Sequence, residues 1–293
     1  TPTLAEVVAN DGRFTILVDA LQRTGLDATL DAAGTYTVFA PTDDAFAILL
    51  ADLQLADLDA VENALTTAGL RNVLLYHVLG AKVMAADVTT GYITTLGENA
   101  NANGLSAYVN VGTEVVLNNS ATVSQTDINA SNGVAHVIDR VILPLNIFEL
   151  IEVNGMYSSL ESALLLADGD LDMVLSDPSA TFTLFAPNNA AFDNLVAATP
   201  NVNNLGELVT ALGTDVLSTV LLYHVVSGEV RSDDLSIGAV TTAASLDFNV
   251  NINGTDVSIS DLSPDTQDAN VNMVNVTGTN GVVHGLDGVL LPQ

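Results

Sequence analysis

The sequence predicts an α+β protein built from two tandem copies of one domain. Three observations carry that reading. In the first part of each half, apolar residues recur at helical spacing, and the later part turns to short alternating runs separated by turn residues. Three landmarks then repeat in one order: 35–46 returns at 181–192, 74–78 at 221–225 and 132–144 at 280–292. A period this long marks duplicated domains, not a solenoid of small units. Finally, 293 residues suffice for two separate hydrophobic cores. The expected domains are 1–145 and 146–293, because only Leu145-Asn146 separates Pro144 from the next apolar helix, Ile147 to Val153. So short a connection predicts domains docked on one another.

Residues 4 to 24 predict one or two short helices, with Leu4, Val7 and Val8, then Phe14, Leu17, Val18 and Leu21, at helical spacing. Thr35 to Ala40 reads as a buried strand ending at Pro41. An N-cap at Thr42 or Asp43 then opens a helix carrying Phe46 and Leu49. Asp59 to Ala68 reads as a polar-faced helix. Leu70 to Leu75 reads as another, passing into Tyr76-His77-Val78. Strands are expected from Ile93 on, over Leu105 to Val109, Glu114 to Leu117 and Thr122 to Gln125, with turn residues between them as in 97–104. The closing stretch starts with Asn132-Gly133, a turn signal because both residues tolerate positive φ. Val134, His136 and Ile138 then fall on one face of an extended chain, and Pro144 closes it. Each copy reads as the last strand of its domain.

Composition narrows the function. Apolar residues make up 48% and aromatics 5%, with no Trp, so the core is made of Ala, Val, Leu and Ile. Mean hydropathy is +0.40. Even so, no run approaches the roughly 18 to 20 apolar residues of a spanning helix, and membrane insertion is not expected. Six Lys+Arg against 35 Asp+Glu give a net charge of -29. Such a surface repels nucleic-acid phosphates and anionic bilayers. It reads first as a solubility device and second as a surface for hard cations. The densest local cluster, Asp168-Gly169-Asp170-Leu171-Asp172, lacks the Gly and Glu positions of an EF-hand loop. Cysteine is absent, which excludes disulfides, thiolate metal sites and a thiol nucleophile. No leader is visible at Thr1, as a mature secreted chain would also show. The Asn-X-Ser/Thr sequons at Asn118, Asn129, Asn253 and Asn275 are what an Asn-rich chain produces by chance.

The landmarks resemble the fasciclin (FAS1) domain family over the whole chain, as two tandem copies. Thr37 to Phe46 looks like the family's first box, Asn132 to Pro144 like its second, and Tyr76-His77 like the motif between them. The resemblance implies a β-sandwich or wedge of about seven strands with a packed helical layer, and a secreted or cell-surface role in adhesion. It also implies binding positions at Tyr76, His77, Asp127 and Ile128 in the first copy and at Tyr223 and His224 in the second. There Asn275-Val276 stands where Asp-Ile is expected. Implied partners are a cell-surface or matrix protein or a polysaccharide, with self-association possible. A carrier of a small apolar ligand such as a carotenoid or lipid, and a subunit of a surface layer or filament, are the alternatives.

No catalytic chemistry is expected. The four histidines are placed by the repeat, His77 with His224 and His136 with His284. Each reads as a buried structural hydrogen bond, with Thr42-Asp43 as the expected partner of His77. Asn188-Asn189 stands at the same place in the second copy, and a His–carboxylate pair would not survive that exchange. Nucleophile elbows, phosphate-cradling loops and zinc spacings are absent, so no cofactor or metal is called for. Asp139 and Asp287 lie in separate copies and cannot form a glycosidase pair.

Repulsion among carboxylates opposes compaction and is screened over about 8 Å at physiological ionic strength. Added NaCl is therefore expected to raise the melting temperature, chiefly of the second half, where Arg231 is the only Lys or Arg. CaCl₂ at matched ionic strength is expected to do no more. Melting curves in the two salts test both statements, and a stabilisation saturating at micromolar Ca²⁺ would refute the second.

Overall fold

The structure, a computed structural model, describes residues 1–261 and 267–292. The chain divides into two compact units, Thr1–Pro144 and the chain from Leu145 onward.

The first unit opens with three short helices, α1 (Leu4–Ala9), α2 (Thr15–Thr24) and α3 (Leu26–Asp31). A capping box starts α1: Thr3 Oγ1 accepts from the Glu6 N–H, and Glu6 Oε2 accepts from the Thr3 N–H. Gly25, at φ 68°, ends α2 and lets α3 begin at once. Strand β1 (Tyr36–Pro41) leads to Thr42, whose Oγ1 accepts from Ala45 N and caps α4 (Asp43–Leu53). Helix α5 (Leu58–Tyr76) is really two helices joined at Thr66, at φ 68° and ψ 162°. Then come β2 (Val78–Leu79), a 3-10 turn at Ala85–Asp87, β3 (Gly91–Glu98), β4 (Gly104–Val111), β5 (Val115–Leu117), β6 (Ala121–Ala130) and β7 (Gly133–Ile138).

The seven strands form one sheet in the order β2-β1-β7-β6-β5-β4-β3. Its two end strands, β2 and β3, lie against each other, so the sheet curls towards a barrel. All pairings are antiparallel except one: β1 runs parallel to β7, from Tyr36 opposite Gly133 to Pro41 opposite Ile138. That pair is buried on both faces. Val38, Ala40, Ala135 and Val137 face the helices, where they pack with Leu4, Phe14, Leu26, Phe46 and Leu70. Phe39 and Ile138 face the inside of the curl, with Tyr76, Leu105, Val109 and Leu117. The first unit thus carries a helix-to-sheet core and a second core within the curled sheet.

The second unit repeats this plan with α6 (Ile147–Glu152), α7 (Ser158–Leu166), α8 (Leu171–Ser176), β8 (Phe182–Pro187), α9 (Asn189–Ala198), α10 (Leu205–Leu212), α11 (Thr214–Leu222), β9 (Val225–Ser227), β10 (Gly238–Thr241), β11 (Asp247–Asn253), β12 (Asp256–Ser260), β13 (Ala269–Gly278) and β14 (Gly281–Leu286). Its sheet order is β10-β11-β12-β13-β14-β8-β9, again with one parallel pair, β8 with β14.

Three local expectations are revised. The helix α3 lies beyond residues 4 to 24, where helices are expected, and Gly25 lets it follow α2 at once. The hairpin loop before β7 is Ser131-Asn132, since Ala130 pairs with Gly133, and Asn132 does not use positive φ. Gly133 is required for another reason: a Cβ there would lie 2.1 Å from the Tyr36 carbonyl oxygen, and one at Gly281 would lie 1.9 Å from that of Phe182. Finally, β7 ends at Ile138, so Pro144 lies beyond the ladder.

The break in α5 has its counterpart at Gly213, with φ 81° and ψ 154°, between α10 and α11. This is backbone that only glycine adopts without strain, and Thr66 holds it with a β-branched side chain. Thr66→Gly is therefore expected to stabilise the first unit by about 1 kcal/mol, read as a shift of its urea midpoint. No gain would mean that the Thr66 hydroxyl, which accepts from Gly69 N at 3.3 Å, offsets the strain.

Candidate functional site

The motif residues belong to the elements around the central parallel pair. Tyr76 ends α5 and His77 is its C-cap, both fully buried. The Tyr76 hydroxyl donates to the Ser106 carbonyl at 2.8 Å, across the curl of the sheet, and accepts from Asn118 Nδ2 at 3.1 Å. Tyr223 does the same work in the second unit, donating to the Asp247 carbonyl at 2.6 Å. Burial pushes its phenol up to about 12.

His77 lies 2.7 Å from the Val73 carbonyl through Nδ1 and 3.1 Å from the Ile142 N–H through Nε2. A carbonyl can only accept and an N–H can only donate, so the ring is neutral with its proton on Nδ1. His224 repeats this with the Val220 carbonyl and the Leu290 N–H. Desolvation lowers both imidazoles to about 4, against the smaller raising effect of the carbonyl.

His136 and His284 carry the other tautomer. Nε2 donates to the Val83 carbonyl at 3.0 Å, or to Val230 at 2.9 Å, while Nδ1 accepts from the Asp127 or Asn275 N–H. Phe39 and Phe185 pack against the two rings. All four histidines are backbone staples.

The expected pairing of His77 with Thr42-Asp43 does not form. Thr42 caps α4, and Asp43 reaches back to α2 instead, accepting from Ile16 N at 2.8 Å and Thr15 Oγ1 at 2.6 Å. In the second unit Asn188 caps α9, and Asn189 accepts from Ser159 N at 2.9 Å. The exchange of Asp for Asn is thereby explained. Only an acceptor oxygen is needed at a helix N-terminus, and an amide supplies it.

Asp127 and Ile128 sit in a bulged stretch of β6. Asp127 has φ 60°, and its Oδ1 accepts from Ala85 N at 2.9 Å. Asn275 occupies the same bulge at φ 59° and accepts from Ser232 N at 2.9 Å. Asp and Asn share tolerance of this backbone. Both Asp127 and Ile128 are part-exposed, whereas Tyr76, His77, Tyr223 and His224 are buried. Contact with a partner through those four side chains would require the domain to open there.

Sequence reasoning missed the role of a buried polar residue. Asn132 Oδ1 accepts from Leu4 N at 2.9 Å, and its Nδ2 donates to the Leu30 and Ala32 carbonyls at 2.7 and 2.8 Å. Asn280 makes the same three bonds, to Ile147 N and to the Leu175 and Asp177 carbonyls. Thr37 and Thr183 were also passed over. Thr37 Oγ1 donates to the Ala81 carbonyl and accepts from Val83 N, and Thr183 does so with Gly228 and Val230. The usable signal was the repeat of a polar residue at the same place inside two apolar runs. Asn118, read as a chance sequon, is buried and bonded to Tyr76 and Tyr108. Asp139 and Asp287 accept from Thr122 N and Asn270 N.

Among the described residues, no buried side-chain nitrogen or oxygen lacks a partner, and no group of three His, Asp or Glu residues could hold a metal. Among the described residues, no single helix is long and apolar enough to cross a membrane.

The fasciclin domain profile matches residues 12–144 and again 156–292. The chain belongs to the fasciclin family. Protein sll1483 of Synechocystis sp. is 42% identical over 145 residues, covering 48% of this chain and 73% of that protein. Transforming growth factor-beta-induced protein ig-h3 of Sus scrofa is 28% identical over 90% of this chain, and human periostin 29% over 90%. The chain spans only 36% and 29% of the lengths of those two. A solved FAS1 domain pair from the insect cell adhesion molecule Fasciclin I covers 98% of this chain at TM-score 0.52 and 19% identity, a likeness of fold. The α+β class with two seven-stranded domains stands, the sheet being one curled ribbon in each. These matches indicate no catalytic family.

The fasciclin histidines make stability depend on pH. Unfolded imidazole takes up its proton near 6.5, and His77 and His224 in the fold only near 4. Between those values the unfolded chain binds more protons. The contribution of each ring is thus fully present above about pH 6.5 and declines as pH falls to about 4, by on the order of 3 kcal/mol. Urea unfolding of the chain and of a His77→Gln, His224→Gln variant across this window is the check. The variant is expected to be less stable at pH 7.5 and to show a flatter slope, the carboxylates being common to both. Parallel slopes would place the protons elsewhere.

Proposed function

We propose that the chain is an extracellular adhesion or matrix-interaction module, non-catalytic, acting through protein or glycan contacts on the outer surfaces of its two domains. The observation that carries this reading is the use made of the motif side chains. In both copies, His77 and His224, His136 and His284, and Asn132 and Asn280 bond to backbone inside their own unit. No reactive group is left poised at a surface by these motifs, so contact rather than chemistry is what the outside offers. The likeness in fold to the domain pair of an insect cell adhesion molecule supports the same reading. Two tandem copies suit it further, because a second weak contact becomes intramolecular once the first is made. A secreted or cell-surface location, and a cell-surface or matrix protein or polysaccharide as partner, follow from that role.

Glycan arrays and intact cells, probed in parallel with the full chain, are the test. Saturable binding to one class of surface ligand, strengthened when the chain is displayed multivalently, is the expected result. Absence of binding on both, together with a visible chromophore or extractable lipid in the purified protein, would replace adhesion by carriage of an apolar ligand.

A further inference from the structure

The two copies of one fold act as controls for each other, and the comparison singles out one face of the second unit. Leu17, Ala20 and Leu21 of α2 are buried as Leu160, Ala163 and Leu164 of α7 are, and Leu26 and Leu30 of α3 as Leu171 and Leu175 of α8. This alignment of the buried residues sets the alignment of the exposed ones. Where the first unit has Gln22 and Arg23, the second has Leu165 and Leu166, 57% and 50% exposed. Where it has Ala28 and Thr29, the second has Met173 and Val174, 68% and 40% exposed. Matching Tyr76 with Tyr223 places Val216, 47% exposed, at the position of Gly69.

The difference is chemical as well as steric. Arg23 is held in a charged cluster with Asp19, Asp59 and Glu62. Leu166 has no such use in its place. These side chains lie on neighbouring elements, since α7 packs on both α8 and α11. Asp168, in the α7–α8 turn, ties that turn to α11 by accepting from Thr214 Oγ1 and, through its carbonyl, from Ser218 Oγ, each at 2.8 Å. Large apolar side chains grouped on a soluble surface mark an interaction site. The surrounding charges are of one sign. Asp168, Asp170 and Asp215 are exposed beside the patch, with Asp172 part-exposed, and the only Lys or Arg of this half, Arg231, is engaged with Glu229 and Thr277.

We propose that the face formed by α7, α8 and the start of α11 docks a basic, apolar-tipped protein segment, its leucine-like side chains on Leu165, Leu166, Met173 and Val174 and its Lys or Arg side chains on the acidic rim. A second copy of this chain would bring the same carboxylates against that rim, and an anionic bilayer would meet the same repulsion. The inference deepens the adhesion reading by naming the chemistry of one partner.

The probe is a synthetic amphipathic helix of about 18 residues with a leucine stripe flanked by lysines, and a second peptide with glutamates in place of the lysines. Both are titrated onto the full chain and onto a Leu165→Gln, Leu166→Gln, Met173→Ala, Val174→Thr variant. All four changes follow the first unit, except that glutamine replaces the arginine to keep the charge constant. Matching melting curves confirm that the variant is folded. At about 0.15 M salt, the lysine peptide is expected to bind the native chain about tenfold more tightly than the variant, and about tenfold more tightly than the glutamate peptide binds. Equal binding to chain and variant would overturn the proposal, because charge alone would then suffice. Equal binding of the two peptides would overturn it as well. So would sedimentation showing that the native chain self-associates and the variant does not, or flotation of the native chain but not the variant with phosphatidylcholine vesicles. If the variant still binds glycans or cells as the native chain does, adhesion stands and this site fails alone.

Discussion

The parallel pairing of the first strand of each unit with its last is the constraint on which the rest depends. Strands β1 and β7 are buried on both faces, so neither can leave a backbone group to water. Parallel neighbours cannot be joined by a tight hairpin, and the chain therefore supplies the rest of the domain as the connection. The pair must also be closed at its ends. Tyr36 and Gly133 approach so closely that a Cβ at Gly133 would overlap the Tyr36 carbonyl. Beyond that point the backbone of α1, α3 and the segment after β2 arrives at the sheet with donors and acceptors unsatisfied by any ladder. Asn132, Thr37 and His136 take them up. At the opposite end, His77 joins the last turn of α5 to the segment after β7.

This explains why the histidines placed by the repeat serve as hydrogen-bond staples in both units. A neutral histidine, an asparagine and a threonine are among the side chains that can give and take a hydrogen bond at once without carrying charge. That is what a buried junction of irregular backbone requires. The burial that makes them effective lowers the imidazoles of His77 and His224 to about 4. A general base for neutral solution would need to sit much nearer to 7 and within reach of a substrate. Burial denies both.

Much of the fold was legible because it is written twice. Helix periodicity marked α1, α2 and α4, and the repeat marked β1 and β7 without any knowledge of their pairing. The parallel register was not legible, since alternation along one strand carries no information about which strand lies beside it. Nor was the role of Asn132. Beside a glycine it has the composition of a turn, and its three bonds reach residues about a hundred positions away. The bulge at Asp127 shows the same limit. In sequence, Asn275-Val276 merely departs from the expected Asp-Ile, and nothing there reveals that the side-chain oxygen accepts from the Ala85 or Ser232 backbone.

Duplication separates what the fold needs from what the surface is free to change. Positions that staple the sheet keep their residue type or exchange only Asp for Asn, as Thr37 with Thr183, Asn132 with Asn280 and Asp127 with Asn275. Positions on the outer helices differ outright, as Arg23 with Leu166 and Ala28 with Met173. If those outer positions were under no demand but solubility, an acidic chain would have little reason to set leucine and methionine in water at these positions of the second copy where the first has arginine and alanine. The exposed part of an apolar side chain does nothing to stabilise its own domain, since its transfer from water has not occurred. Its stabilising effect appears only when another surface removes it from water. The interior of the fasciclin pair is thus answerable to folding, and the asymmetry of its outer helices is where recognition can reside.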